Sequence, residues 1–101
     1  LILHSEQQSA QQVASFAQPW GQWRSIADRE GLVLLYPEAV NGEWNDCQAA
    51  PENSTVNDVG FLEEVITDVA GRVPLDDRRI YAVGASNGGR MSYRLAVQRS
   101  A

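Results

Sequence analysis

The residues with the clearest chemical meaning stand in one run, Gly84-Ala85-Ser86-Asn87-Gly88. A Gly-x-Ser-x-Gly pattern arises by chance in a chain of this length on the order of 3% of the time, taking Gly and Ser at about 7% each. The setting sharpens it. The pattern follows the apolar, β-prone run Ile80-Tyr81-Ala82-Val83 and opens a helical pattern, the strand-turn-helix context that holds a serine hydroxyl above a sheet edge. Glycines two residues either side let neighbouring backbone come close. The amide of Asn87, at the amino end of the new helix, then points to where a carbonyl oxygen would gain negative charge. The chemistry implied is nucleophilic acyl transfer, with Ser86 as nucleophile and Asn87 as an oxyanion donor. The bland alternative is a glycine-rich strand-to-helix turn.

Two phosphate-binding uses of the same glycines fail. A P-loop needs a lysine and the chain has none; a dinucleotide fingerprint needs Gly-x-Gly-x-x-Gly, and Gly84, Gly88 and Gly89 are spaced differently. A serine hydroxyl also needs a base to take its proton, and a carboxylate to orient that base. The one histidine, His4, ends the first apolar run. In the α/β-hydrolase order the base follows the nucleophile and the acid, so His4 is read as a structural residue, and neither triad partner is assigned within the chain.

The elements that must position Ser86 follow from periodicity. Three apolar segments, Leu1 to His4, Leu32 to Tyr36 and Ile80 to Val83, are too short for helices and read as strands buried on both faces. Between them, Trp20 to Glu30 reads as a helix with Trp23, Ile26 and Ala27 on one face, stopped by Gly31. From Asp58 a clearer helix places Leu62, Val65, Ile66 and Val69 on one face and Glu63, Glu64 and Asp68 on the other; Asn57 or Asp58 caps its start, and Gly71 with Pro74 ends it. A third helix begins after Ser86 and runs through Met91, Leu95 and Ala96 toward Arg99. Strands alternating with helices pair in parallel through right-handed crossovers, which gives an α/β fold, a parallel sheet of three strands with the first strand central and helices flanking it. The stretch from Pro37 to Asn57 is a long polar loop at the carboxyl end of a strand, where ligands bind in open α/β sheets. Trp44 within it either lines a pocket or pins the loop.

Bulk properties narrow the partners. The net charge is −5 and the eight basic residues are all arginines, scattered along the chain. No basic stripe exists to track a nucleic-acid backbone or an anionic membrane surface, and no run reaches transmembrane length. Cys47 is alone, so the chain holds no internal disulfide and no Cys/His metal cluster; it is an incidental thiol or half of a bridge to chain outside these residues. Asn53-Ser54-Thr55 matches the glycosylation acceptor pattern.

Taken together, these residues resemble the extracellular polyhydroxybutyrate depolymerase and feruloyl esterase group of α/β-hydrolases. Leu3-His4 is similar to the group's strand ending in Leu-His-Gly. Ile26-Ala27-Asp28-Arg29-Glu30-Gly31 and Leu35-Tyr36-Pro37 look like its next helix and strand, and Trp44-Asn45 like a Trp-Asn of its loop. Asn57-Asp58-Val59-Gly60-Phe61-Leu62 is similar to its Asp-Asp-Val-Gly-Phe segment, and Asp77-Arg78-Arg79-Ile80-Tyr81 leads into Gly84 to Gly89 and Met91 in the same manner. The resemblance implies hydrolysis of hydroxyalkanoate or aromatic-acid (feruloyl) esters, small or polymeric, through an acyl-enzyme, with no metal and no organic cofactor, outside the cell or in the periplasm. It implies Ser86 as nucleophile, Asn87 as one oxyanion donor and Glu6, in the loop after His4, as the second. The group's glycine after that histidine is Ser5 here, a side chain at the turn that shapes the oxyanion hole. Residues 1–101 are then expected to be a fragment of a single catalytic domain, truncated at both ends, with its histidine and acid elsewhere and little turnover of its own. Two rivals remain: a non-catalytic binding protein on a degenerate hydrolase scaffold, and a serine peptidase of the same fold.

Overall fold

A computed structural model describes residues 1–15, 22–46, 55–76 and 78–99. Trp20, Cys47, Asp77 and the acceptor pattern at Asn53 and Ser54 lie outside the described residues. The sheet is a parallel pair of short strands, β1 (Ile2–Leu3) and β2 (Val83–Gly84), with Ile2 opposite Val83 and Leu3 opposite Gly84. Leu32 to Tyr36, expected as a third strand, runs beside β1 without a ladder. It gives β1 one backbone bond, from the Ile2 amide to the Leu35 carbonyl at 2.8 Å, while on the other edge the Val83 amide donates to the Leu1 carbonyl at 2.9 Å. β1 therefore has backbone on both sides. Leu32 and Val33 are exposed and Leu34, Leu35 and Tyr36 are only half-buried, and a segment with so little buried face has little to fix its register. Ile80 and Tyr81 are exposed for the same lack of cover, so the expected strand over Ile80 to Val83 shrinks to its last residue and Gly84.

The helices are α1 (Ala10–Ser15), α2 (Gln22–Glu30), α3 (Asp58–Ala70) and α4 (Asn87–Arg99). The periodicity reading misses α1, whose signal is a capping box and not an apolar stripe. The Ser9 amide donates to Gln12 Oε1 at 2.8 Å and the Gln12 amide donates to Ser9 Oγ at 3.1 Å, which satisfies two donors at the helix start. Gly31 ends α2 at φ 69°, and the Leu32 amide reaches back to the Ala27 carbonyl at 3.0 Å; a left-handed residue there is what glycine supplies cheaply. Asn57 caps α3, its side chain accepting from the Gly60 amide at 3.0 Å. Gly71 closes α3 in a right-handed conformation, φ −76°. Among the described residues no helix is long and apolar enough to cross a membrane.

The core lies where α3 and α4 meet β1 and the loop before α3: Leu3, Ala39, Trp44, Val59, Leu62, Met91 and Leu95 form one buried cluster. Met91 and Leu95 come from one face of α4, Val59 and Leu62 from one face of α3, as their spacing requires. Val65, Ile66 and Val69, further along the same stripe of α3, are only half-buried. The packed part of the fold is thus the part that carries Ser86.

Candidate active site

Ser86 forms the tight turn between Ala85 and α4, and its backbone sits at φ 54°. A side chain in that region costs on the order of 1 kcal/mol or more and persists only where surroundings impose it. The surroundings here are glycines. A Cβ built on Gly84 would lie 2.5 Å from the Gly88 carbonyl carbon and 2.7 Å from the Leu3 oxygen; one on Gly88 would lie 2.6 Å from the His4 oxygen. A Cβ on Gly89 would lie 3.0 Å from the Gly84 oxygen. The two flanking glycines are therefore what allow α4 to start directly against β1 and β2. The turn leaves Ser86 exposed, while Asn87 and Gly88 beside it are buried.

The loop after β1 supports the turn from below. The Ser5 hydroxyl donates to the Ala85 carbonyl at 2.9 Å, and the Ser5 amide donates to Gln8 Oε1 at 3.0 Å. The left-handed residue of this loop is Gln7, φ 63°, and not Ser5; a side chain at Ser5 thus costs the loop no strain and braces the serine turn. His4 is buried with both ring nitrogens engaged by backbone: Nε2 accepts from the Ala39 amide at 3.0 Å and Nδ1 lies 2.8 Å from the Ser5 carbonyl. That fixes the proton on Nδ1 and leaves no nitrogen for Ser86. Trp44 is fully buried, its ring 5.1 Å from that of His4 and its indole N–H donating to the His4 carbonyl at 3.0 Å. Of the two uses open to it, Trp44 serves to pin the loop.

Asn87 makes the most extensive set of bonds among the expected site residues. Its Oδ1 accepts from the Trp44 amide at 2.7 Å, and its Nδ2 donates to the Trp44 carbonyl at 3.0 Å and to Asp46 Oδ2 at 2.9 Å. Arg90, one turn along α4, donates from Nε to the same Asp46 oxygen at 2.6 Å. The Asn45 amide donates to Asp58 Oδ2 at 2.6 Å, and Arg94 donates to the Asn45 carbonyl. Burial pushes the Asp58 carboxyl above its ordinary range, against the opposing pull of the Asn45 amide and the Arg94 charge. Sequence reasoning missed this network. Its only signal was polar residues flanking a loop tryptophan, and Asp58, read there as a possible cap, is buried beneath the loop instead.

Ser86, Asn87 and Glu6 lie together, and Glu6 meets the other two through its side chain. Its carboxylate accepts from the Ser86 hydroxyl (Oε1, 2.8 Å) and from the Asn87 amide (Oε2, 3.0 Å). The Ser86 hydroxyl, then Glu6's own backbone amide, then the Asn87 amide and the Arg90 charge hold this carboxyl below the usual carboxylate value, which makes it a weak base. Two clefts of about 480 and 530 Å³ open beside Leu1, Ile66, Ile80 and Tyr81, and neither is lined by Ser86, Asn87 or Glu6.

No protein-family model and no solved structure matches the chain. Among curated proteins it is 31% identical over 103 residues to NocK of Nocardia uniformis subsp. tsuyamanensis, named as an esterase, covering 97% of this chain and 28% of that protein. It is 32% identical over 77 residues to the poly(3-hydroxybutyrate) depolymerase of Ralstonia pickettii, covering 69% of this chain and 16% of the depolymerase. A protein of Aspergillus niger named as feruloyl esterase C is 30% identical over 83 residues, with 82% of this chain and 28% of the esterase covered. The chain belongs to the polyhydroxybutyrate depolymerase and feruloyl esterase-like family. An α/β-hydrolase-like fold follows from that membership, and the parallel β1–β2 pair with α4 packed on it is its visible part. The chain spans less than a third of the length of the curated relatives it matches.

Proposed function

We propose that the complete protein is a serine-dependent carboxylic ester hydrolase working through an acyl-enzyme, with Ser86 as the nucleophile on a nucleophile elbow that runs from Gly84 to Gly88. One observation carries this: Ser86 is exposed at φ 54° between β2 and α4, at the place where Gly84 and Gly88 let the helix abut the sheet. The Asn87 amide is one oxyanion donor and the Glu6 backbone amide the second. In support, the Ser86 hydroxyl and the Asn87 amide already converge on a single carboxylate at 2.8 and 3.0 Å, the range a developing oxyanion requires. The general base and its orienting acid come from outside residues 1–101, since both His4 nitrogens are taken by backbone and the relatives are more than three times as long. The third strand of the sheet, over Leu32 to Tyr36, forms its ladder in that complete domain.

The substrates are esters of hydroxyalkanoates or of feruloyl-type aromatic acids, by likeness to the relatives' named activities, and the site of action is extracellular or periplasmic. Hydrolysis of p-nitrophenyl butyrate, a hydroxybutyrate oligomer and methyl ferulate by the complete protein tests the reading. Turnover is expected on at least one of them, with Ser86→Ala reducing it about a thousandfold or more. Turnover unchanged by Ser86→Ala would overturn it, and cleavage of peptides in preference to esters would favour the peptidase.

A further inference from the structure

We propose that the Glu6 side chain is an internal competitor for the oxyanion site, a built-in mimic of the acid product that must leave before an ester carbonyl can enter; this rests on the nucleophile reading above. The geometry is that of a bound product. A carboxylic acid released from an acyl-enzyme is a planar pair of oxygens beside the serine hydroxyl and the oxyanion amides. The Glu6 carboxylate has one oxygen 2.8 Å from Ser86 Oγ and the other 3.0 Å from the Asn87 amide. It occupies both the donor meant for the oxyanion and the hydroxyl meant for attack. Donation by Ser86 to Glu6 also engages the proton that the base must collect.

The same surroundings give the carboxylate somewhere to go. Its side chain is 41% exposed, and Arg90 Nη2 already lies 3.7 Å from Oε2. Arg90 is anchored by Asp46 through its Nε at 2.6 Å, so its outer nitrogens stay poised on the solvent side of the site. A small rotation of Glu6 toward Arg90 would exchange the Ser86 and Asn87 bonds for an ion pair and free the hole. The backbone stays in place: the Gln7 amide donates to the Gly42 carbonyl at 3.0 Å, which ties the loop independently of the Glu6 side chain.

Truncating that side chain removes the competitor and keeps the Glu6 amide. The test is the second-order rate at which a fluorophosphonate probe modifies the complete protein. In that reaction Ser86 Oγ forms a bond to phosphorus, the P–F bond breaks, fluoride departs and the base takes the hydroxyl proton. Glu6→Ala should react about fivefold faster than the unsubstituted protein, the size expected for removing an exposed charge-assisted contact, and Glu6→Gln should fall between them. A Glu6→Ala rate equal to or below that of the unsubstituted protein, with Ser86→Ala unreactive, would overturn the competitor and leave the nucleophile standing. If Ser86→Ala reacts like the unsubstituted protein, the nucleophile reading fails instead. The competitor, which rests on that reading, then falls with it.

Discussion

The two ends of the sheet region are built differently. Around Ser86 the polar groups are bonded to one another: Asn87 makes three hydrogen bonds to the Trp44 and Asp46 segment, His4 is held at both nitrogens, and Asp58 anchors Asn45. Around Leu32, Val33, Ile80 and Tyr81 the surface is apolar and exposed, and a cleft of about 480 Å³ runs between them. Little is needed to hold one serine in place. Two short strands, one helix start and a pinned loop fix Ser86, whereas a wider sheet needs apolar cover that these residues do not give one another.

Substitutions on the bonded side should therefore cost far more than their size suggests. The largest effect is expected from Gly88→Ala. Its Cβ would meet the Leu3 and His4 carbonyl oxygens, the latter at 2.6 Å. These are backbone atoms, so α4 must move off β1 at a cost of about 3 kcal/mol. Urea unfolding of the complete protein measures this, and a change under about 1 kcal/mol would show that the turn is looser than described. Asn87→Ala should follow at about 2 kcal/mol, since it leaves the buried Trp44 amide without its acceptor and takes one donor from Asp46. A loss confined to activity, with stability untouched, would mean that the loop is pinned by Trp44 alone.

The smallest effect is a pH dependence. Burial raises the Asp58 carboxyl above its ordinary 3.8, so the folded protein holds that proton more tightly than the unfolded chain. The contribution to stability is full below 3.8 and is lost as pH rises through the folded value. Glu6, held low by Ser86, has the opposite sign: its contribution is present above its ordinary 4.5 and is lost as pH falls through the folded value. Asp58→Asn should remove the first trend and leave the second. Unfolding curves taken across the acid range check the sign, and a variant that keeps the unsubstituted protein's loss with rising pH would contradict the assignment.

Much of the candidate site was legible in the sequence because its requirements are local. Gly84, Ser86 and Gly88 announce a turn whose sterics need glycine at fixed offsets, and the stripe Leu62, Val65, Ile66, Val69 and the pair Met91, Leu95 announce helix faces, of which Leu62, Met91 and Leu95 are buried and the rest of the α3 stripe is half-buried. Asn57 as a cap and Gly31 as a stop are likewise properties of a few neighbouring residues. What stayed hidden depends on distant partners. Nothing near Trp44 says that its amide bonds to Asn87, 43 residues away, and nothing near Glu6 says that its carboxylate meets Ser86. The strands over Leu32 to Tyr36 and Ile80 to Val83 follow from short length and a β-prone apolar composition, and these local properties do not supply a pairing partner.

The position of the fluorophosphonate adduct in the complete protein tests Ser86 as the nucleophile most directly. Trypsin releases residues 80–90 as one peptide, in which Ser86 is the single serine. The phosphonyl mass is expected on that peptide, carried by the Ser86 side chain within it. An adduct on any other peptide, or a Ser86→Ala protein labelled as fast as the unsubstituted one, would contradict it.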